Sequence, residues 1–482
     1  MLILWLQNLH LSVIESGSKK LSVKNNLSSP IIIRGIQNIK PFYAILLHLA
    51  IGFLAFANRS LMFLYLLAVL VYFIYLIVVK KNKAFYTLLA ASYITGAEVF
   101  LRMTKAFIFY ETGKYAVMVF MLMGILYVGF KKNAFPYILY ILLLLPAVLV
   151  SLQAIAFDAN FRTTILFNLS GPLCLCLASI FCYGRTIRLQ ELLKILDYMV
   201  YPMISMLVYV FLYTPDIREV VTGTASNAAL SGGYGPNQVA TIFGLGVFLL
   251  FARLLIPYKN SLVHWTMMFF MLWMAYRALL TFSRGGVLVS VIMCLAFLVI
   301  VYLGSGLKMK AKISVKVVAI FATGLLLWGY TIVQTGGLIE NRYANEDALG
   351  NEKDDVTTGR TDLLSVEIEA FKENPFFGIG IGQGKFQFME EMGISSASHN
   401  EVSRMLSEHG LFGIIALLLL IFVPVFTKMS GRKNIYFYPF LLFWFLTIIT
   451  TSMRIAAPAF IYALCLLNID YATKTKPALH RK

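Results

Sequence analysis

Apolar residues along this chain come in long unbroken runs, not in the alternation of a strand or the one-sided stripe of a water-soluble helix. Runs of about 16 to 22 residues lie near 42–57, 61–79, 84–101, 115–130, 134–154, 163–183, 198–213, 237–256, 262–283, 286–304, 314–334, 410–427, 435–451 and 453–470. A helix needs roughly 20 residues to cross a hydrocarbon core of about 30 Å. The fourteen runs therefore predict an all-α, polytopic integral membrane bundle of about 14 (12–14) transmembrane helices.

The longest interruption of the runs is a polar stretch over 335–409. Loops beyond about 15 residues are usually functional or disordered, so this one is expected to carry the soluble structure, including short helices. The predicted organisation is an N-terminal segment (1–41), eleven helices (42–334), the long loop (335–409), three helices (410–470) and a tail (471–482).

Composition agrees with this reading and excludes a water-soluble protein: of 482 residues, 59% are apolar and 13% charged, and mean hydropathy is +0.78. The net charge of +18 is uneven, since 335–409 holds 14 acids and 6 bases and carries −8. The bases sit between apolar runs, so they report topology and not nucleic-acid binding. With both termini cytoplasmic, 26 bases fall inside against 9 in short outer connections, as the positive-inside rule requires. The acidic loop then faces outward, away from ATP and nucleotide-sugar pools, and chemistry there needs a donor delivered through the membrane.

The five cysteines all lie in apolar runs and suggest no disulfide or metal framework. The start lacks a basic n-region and carries Glu15, so no cleavable signal peptide is expected. No internal repeat of the kind secondary transporters use is visible.

Within the loop, Thr361 and the following DLLSVEIEAFKEN predict an amphipathic helix with Leu364, Ile368 and Phe371 on one face and a stop at Asn374-Pro375. It either covers the bundle or acts as a lid. The glycines 378, 380, 382 and 384 lack the strand and helix of a dinucleotide site and suit a tight turn or close backbone approach to a ligand.

Ser398 and Glu401 have capping-box spacing, which predicts a helix start with His399 in its first turn. The positive end of that helix would keep His399 a neutral base. His399 is otherwise structural, and Glu401 either caps the helix or orients His399. Arg277 and Arg284 are seven apart, about 10 Å along one helix face. Arg284 lies at the expected outer surface, whereas Arg277 is about two turns deeper and nearly the only deep charge in the runs, a functional position by default. Arg218 and the turn Gly235-Pro236-Asn237 mark a third outer patch.

Together these patches resemble the O-antigen ligase and O-antigen polymerase superfamily of membrane glycosyltransferases. The carrying elements are Gly223 through Pro236-Asn237, Ser283-Arg284-Gly285, Gly359-Arg360, Asn374-Pro375, Gly378-Ile379-Gly380, His399-Asn400-Glu401 and Glu408-x-Gly410-Leu411-x-Gly413. They span about 190 residues, and the first 200 resemble the family only in hydropathy.

The resemblance implies a metal-independent, inverting transfer of glycan from a polyprenyl diphosphate, undecaprenyl in this family, to a glycan or glycolipid acceptor in surface-polysaccharide assembly. His399 and Arg284 would be catalytic. Arg218, Arg277, Arg360, Arg404, Asn237, Asn400 and Glu401 would bind substrate. No cofactor and no metal are expected: there is no Asp-x-Asp element, and Asp354-Asp355 is an isolated pair.

Expected partners are membrane lipid, the donor, the acceptor, and assembly proteins such as a flippase or chain-length regulator. The expected place is the bacterial cytoplasmic membrane, multi-pass. Polymerisation of repeat units is preferred over ligation of finished chains to a lipid A-core acceptor. Two other classes stay open. A polysaccharide or lipid flippase would carry charges deep in several spans, and a non-catalytic scaffold would not need His399 or Arg284.

Overall fold

The computed structural model describes residues 40–154, 159–214, 216–258, 260–353, 359–393 and 398–472. Nearly all of the expected N-terminal segment and tail, together with Asp354 and Asp355, lie outside these residues.

Each of the fourteen apolar runs falls on a helix. The first eleven helices are α1 (Lys40–Ala57), α2 (Leu61–Val79), α3 (Lys83–Met103), α4 (Thr112–Val128), α5 (Phe135–Ala154), α6 (Ala159–Cys182), α7 (Leu189–Tyr213), α8 (Pro236–Leu255), α9 (Ser261–Leu280), α10 (Arg284–Leu303) and α11 (Leu307–Gln334). The long loop folds into α12 (Leu338–Ala344), α13 (Arg360–Glu373) and α14 (Gly384–Met392). The chain re-enters the bundle as α15 (Glu401–Met429), α16 (Phe437–Thr451) and α17 (Ala456–Cys465). Among the described residues, nine helices are long and apolar enough to cross a membrane, and four shorter apolar helices accompany them.

Side-chain size sorts the helices between centre and periphery. Helix α2 is uniformly large and apolar and exposes most of its surface, as expected of a helix solvated by lipid. Helix α3 contains Ala90, Ala91, Ser92, Gly96 and Ala97 and is buried along most of its length. Small residues let membrane helices approach closely: a Cβ on Gly96 would lie 2.0 Å from the Met199 carbonyl oxygen of α7. A similar contact joins α8 and α10, where a Cβ on Gly286 would lie 2.4 Å from the Ala240 backbone.

Helix α15 is broken at Gly410 (φ 58°, ψ −139°). Non-helical backbone inside a bundle must find other hydrogen-bond partners. Here the glycine segment supplies them: Ile379 N donates to Ser407 O (2.9 Å), Gly380 N to Glu408 O (3.1 Å), and Leu411 N to Pro375 O (2.7 Å). Gly378 has φ 69°, and a Cβ on it would meet the Glu408 backbone at 2.4 Å. The close approach of these glycines is to neighbouring helices: Gly378 to α15, Gly380 to Ser151 of α5 and Gly382 to Thr164 of α6, each with a positive φ that suits a tight turn.

Helix α13 stops at Asn374 as expected, but its buried face is Val366, Glu367 and Ala370, and Ile368 is exposed. The hydrogen bond from Ser403 to Glu367 and packing on α15 set that face more than the apolar stripe does. At the opposite end of the bundle, strands β1 (Thr186–Arg188) and β2 (Asn468–Asp470) pair in parallel near Lys433, whose carbonyl accepts from Ile469 N.

Candidate functional site

The turn between α9 and α10 presents Arg284. Phe282 has φ 57°, a conformation that costs a bulky residue of order 1–3 kcal/mol and persists only where its surroundings enforce it. They do so here: Ser283 N donates to Thr281 Oγ1 (3.1 Å), Ser283 Oγ donates to Asn237 Oδ1 (2.8 Å), and Arg342 Nε donates to Phe282 O (3.1 Å). Arg284 Nη1 reaches Arg342 O at 3.4 Å. Arg360 opens α13 just after Gly359 (φ 76°). Burial, then the charge of Arg284, depresses the proton affinity of Arg342 and of Arg360. Three guanidiniums thus share one region, and among the described residues no carboxylate lies within ion-pair distance of Arg342 or Arg360.

His399 lies immediately before α15. The helix begins at Glu401, and Asn400 is its cap, accepting from Val402 N at 2.9 Å. Ser398 Oγ instead accepts from Asn400 N at 3.2 Å. The expected Ser398 cap is therefore replaced by Asn400, because the Asn amide oxygen reaches the first free helix amide, and His399 is outside the first turn. Burial depresses its imidazole to about 4, with Arg454 and Arg360 adding to the effect. It is neutral at pH 7 as expected, through burial and two arginines and not through the helix end. Among the described residues its ring makes no hydrogen bond.

A second set of cations lies on the far side of His399. Arg454 Nη2 donates to Ser398 O (2.9 Å) and Arg102 Nη2 donates to Arg454 O (3.1 Å). The turn that carries Arg454 repeats the device of the first: Ser452, two residues earlier, has φ 55°. It is held by Met453 N donating to Glu401 Oε2 (3.4 Å) and Ala456 N donating to Glu98 Oε2 (2.6 Å). Glu98 also pairs with Arg102 at 2.6 Å. Arg404 pairs with Glu401 and, at 3.3 Å, with Glu408, and donates to Asn168 Oδ1 at 2.9 Å. Glu367 of α13 accepts from Ser403 Oγ, and burial raises its carboxyl. A cavity of about 30 Å3 lies among Lys114, Phe167, Arg404, Ser452 and Arg454.

The expected site residues are thus distributed unequally. His399, Arg284 and Arg360 come together, and Asn237 fixes the turn that carries Arg284. Asn400, Glu401 and Arg404 adjoin His399, and their own partners are internal. Arg218 is exposed, and its neighbour Ile217 packs with Phe282 and Ile339, which puts it on the same cap.

Arg277 is buried, donates to Thr214 O at 3.4 Å and lies over Phe211 at 5.4 Å. Among the described residues no recorded contact brings it to His399. Nor is it nearly alone in depth: Glu98, Arg102, Lys114, Glu401, Arg404 and Glu408 are also buried. Sequence reasoning passed over Glu98, Arg102, Lys114, Arg342 and Arg454. The one available signal was Glu98 and Arg102, four apart in a single run.

No curated protein matches the chain. Residues 269–418, which carry Arg284, Arg342, Arg360 and His399, match the family model described as O-antigen ligase.

Proposed function

We propose that the chain transfers a glycan from a polyprenyl-diphosphate-linked donor to an acceptor hydroxyl at the outer face of the bacterial cytoplasmic membrane, polymerising surface-polysaccharide repeat units. The observation that carries this reading is a neutral, unbonded His399 between Arg360 and Arg454, with Arg284 and Arg342 next to Arg360.

Arg284, Arg342 and Arg360 hold the diphosphate, since guanidinium–phosphate contacts are bidentate and charge-assisted, and exposed Arg218 joins them from the α7–α8 connection. Asn237 is a positioning residue for Arg284. Asn400, Glu401 and Arg404 position His399 and the Arg454 turn, and Arg277 braces α9 on α7. An apolar cavity of about 510 Å3 between α15 and α16 starts at Asn400 and suits the isoprenoid chain.

The acceptor oxygen attacks the anomeric carbon from the face opposite the diphosphate. Its proton passes to the free His399 nitrogen, the bond from carbon to phosphate oxygen breaks, and polyprenyl diphosphate leaves with that electron pair. The arginines stabilise the leaving charge, the role a divalent ion has in other transferases. An imidazole at about 4 is a weak base at pH 7. Donor binding changes this, because the diphosphate offsets Arg360 and raises the proton affinity of His399.

The test is purified protein in proteoliposomes with a polyprenyl-diphosphate oligosaccharide, with and without a chelator. Longer glycans and released polyprenyl diphosphate in both arms are expected. Transbilayer movement of donor without new glycosidic bonds would establish the flippase reading instead, and loss of product on chelation would remove the arginine mechanism. Orientation is tested in cells: a cysteine at exposed Asn351 should react with an impermeant thiol reagent, and one at Lys310 should not.

A further inference from the structure

We propose that Lys114 and Arg454 form a second anion position, separate from the arginines around Arg284, which takes the carboxylate of an acidic sugar in the glycan brought to His399. The proposal rests on the glycan-transfer reading and adds the class of glycan.

Lys114 lies in the first turn of α4 and is 1% exposed. It lines the cavity together with Arg454 and Ser398. Among the described residues it makes no hydrogen bond and no ion pair. A buried cation without a counter-charge is costly, and the other buried cations nearby avoid that cost, Arg102 through Glu98 and Arg404 through Glu401 and Glu408. Lys114 has no such pair: Glu98 and Glu111 act on it only from a distance, and the space it lines is shared with Arg454 and with the Arg404–Glu401 pair.

The size of that space and its rim indicate what would enter. About 30 Å3 holds a water or two, given that one needs roughly 10–15 Å3, so a compact carboxylate fits and a sugar ring does not. The ring would remain at the rim. There Phe167 lies 5.4 Å from the Lys114 amine, and Tyr110, 41% exposed, stands 6.3 Å from Phe167. Aromatic rings with one apolar face and a polar edge suit the C–H face of a sugar. Tyr110 hydroxyl also bonds Tyr234 hydroxyl at 2.9 Å, and Tyr234 donates to Gln238 at 3.2 Å, which fixes the rim. Arg454 donates to Ser398 O, next to His399, so a carboxylate on Lys114 and Arg454 sets the attached sugar beside the base.

The other anion available is a phosphate of the donor itself, and the test separates the two. Full-length protein in nanodiscs is titrated calorimetrically with p-nitrophenyl glucuronide, p-nitrophenyl glucoside and inorganic pyrophosphate. Hydrogen bonds to charged groups support a preference of about tenfold or more for the glucuronide over the glucoside. Lys114→Met should abolish that preference and leave pyrophosphate affinity unchanged, and Arg454→Gln should weaken it.

Equal binding of the two glycosides by wild-type protein would overturn the proposal whether or not the variants fold. Loss of pyrophosphate affinity in a folded Lys114→Met would also overturn it, by assigning the position to the donor phosphate. The readout is binding without turnover. A protein that prefers glucuronide yet makes no product in proteoliposomes refutes the transfer reading alone, and one that makes product without the preference refutes this proposal alone.

Discussion

The cations on the two sides of His399 are built in opposite ways. Arg284, Arg342 and Arg360 sit at a turn and on short loop helices, repel one another, and lie within the segment that matches the O-antigen ligase model. Arg102, Lys114 and Arg454 lie outside that segment, and Arg102 and Lys114 are buried inside apolar helices. The first group stores repulsion that, on the proposed reading, an arriving diphosphate would relieve. The second is an internal network whose carboxylates pin the backbone, leaving one cation over. Substitutions should therefore harm binding in one region and folding in the other.

The largest contrast is expected between Arg404 and Arg284. Arg404→Met strands Glu401 and Glu408, and breaking a buried ion pair from one side costs about 3–5 kcal/mol. Its membrane abundance should collapse. Arg284→Lys should keep normal abundance and bind donor more weakly, because an ammonium cannot make the bidentate contact. Equal abundance of the two variants, measured by quantitative immunoblot of membranes, would break the comparison.

A smaller effect is expected in the pH profile. His399 sits at about 4 in the free protein, below the ordinary 6.5, so it remains a neutral base well into the acidic range. The acid limb of kcat/KM should therefore fall below 6.5, whereas that of kcat, which reports the donor complex, should lie higher. Arg454→Gln removes one cause of the depression and should move the kcat/KM limb upward. For stability the sign is the same as for any depressed histidine: the contribution is full above 6.5 and is lost as pH falls from there towards 4. A kcat/KM limb at 6.5 in the wild type would show that neither burial nor the arginines depress His399.

The smallest effect concerns the scaffold of Arg284. Ser283→Ala removes the 2.8 Å bond to Asn237, and a net loss of about 1 kcal/mol in stability is expected, with turnover reduced by severalfold. A melting curve and rate equal to wild type would show that the turn needs no such support.

The helices were legible because a lipid-facing helix requires an unbroken apolar run, and all fourteen runs fall on helices. Arg284, Arg360 and His399 stood out in the sequence because they are polar groups at the ends of such runs or in the loop between them, whereas their sharing one region could be seen only in the structure. The inner cations were not, since their partners are remote: the Glu98 carboxylate bonds the amide of Ala456 in α17, a pairing that no local pattern reveals. Ser398 was misread as the cap because spacing cannot tell which of two adjacent polar side chains reaches the free amide. The glycines at 378 and 380 announced a close approach, and only the structure shows that the neighbours are the broken segment of α15 for Gly378 and Ser151 of α5 for Gly380.

The central claim is that His399 takes the acceptor proton, and it is tested most directly by His399→Ala in proteoliposomes, with product formation and donor binding measured at matched protein. Loss of a general base typically costs about 10²–10⁴ in rate. The account predicts a fall in product formation of that size, with donor affinity and membrane abundance near normal. Product formation at near wild-type rate would contradict it and assign the proton to water, the leaving phosphate or another residue.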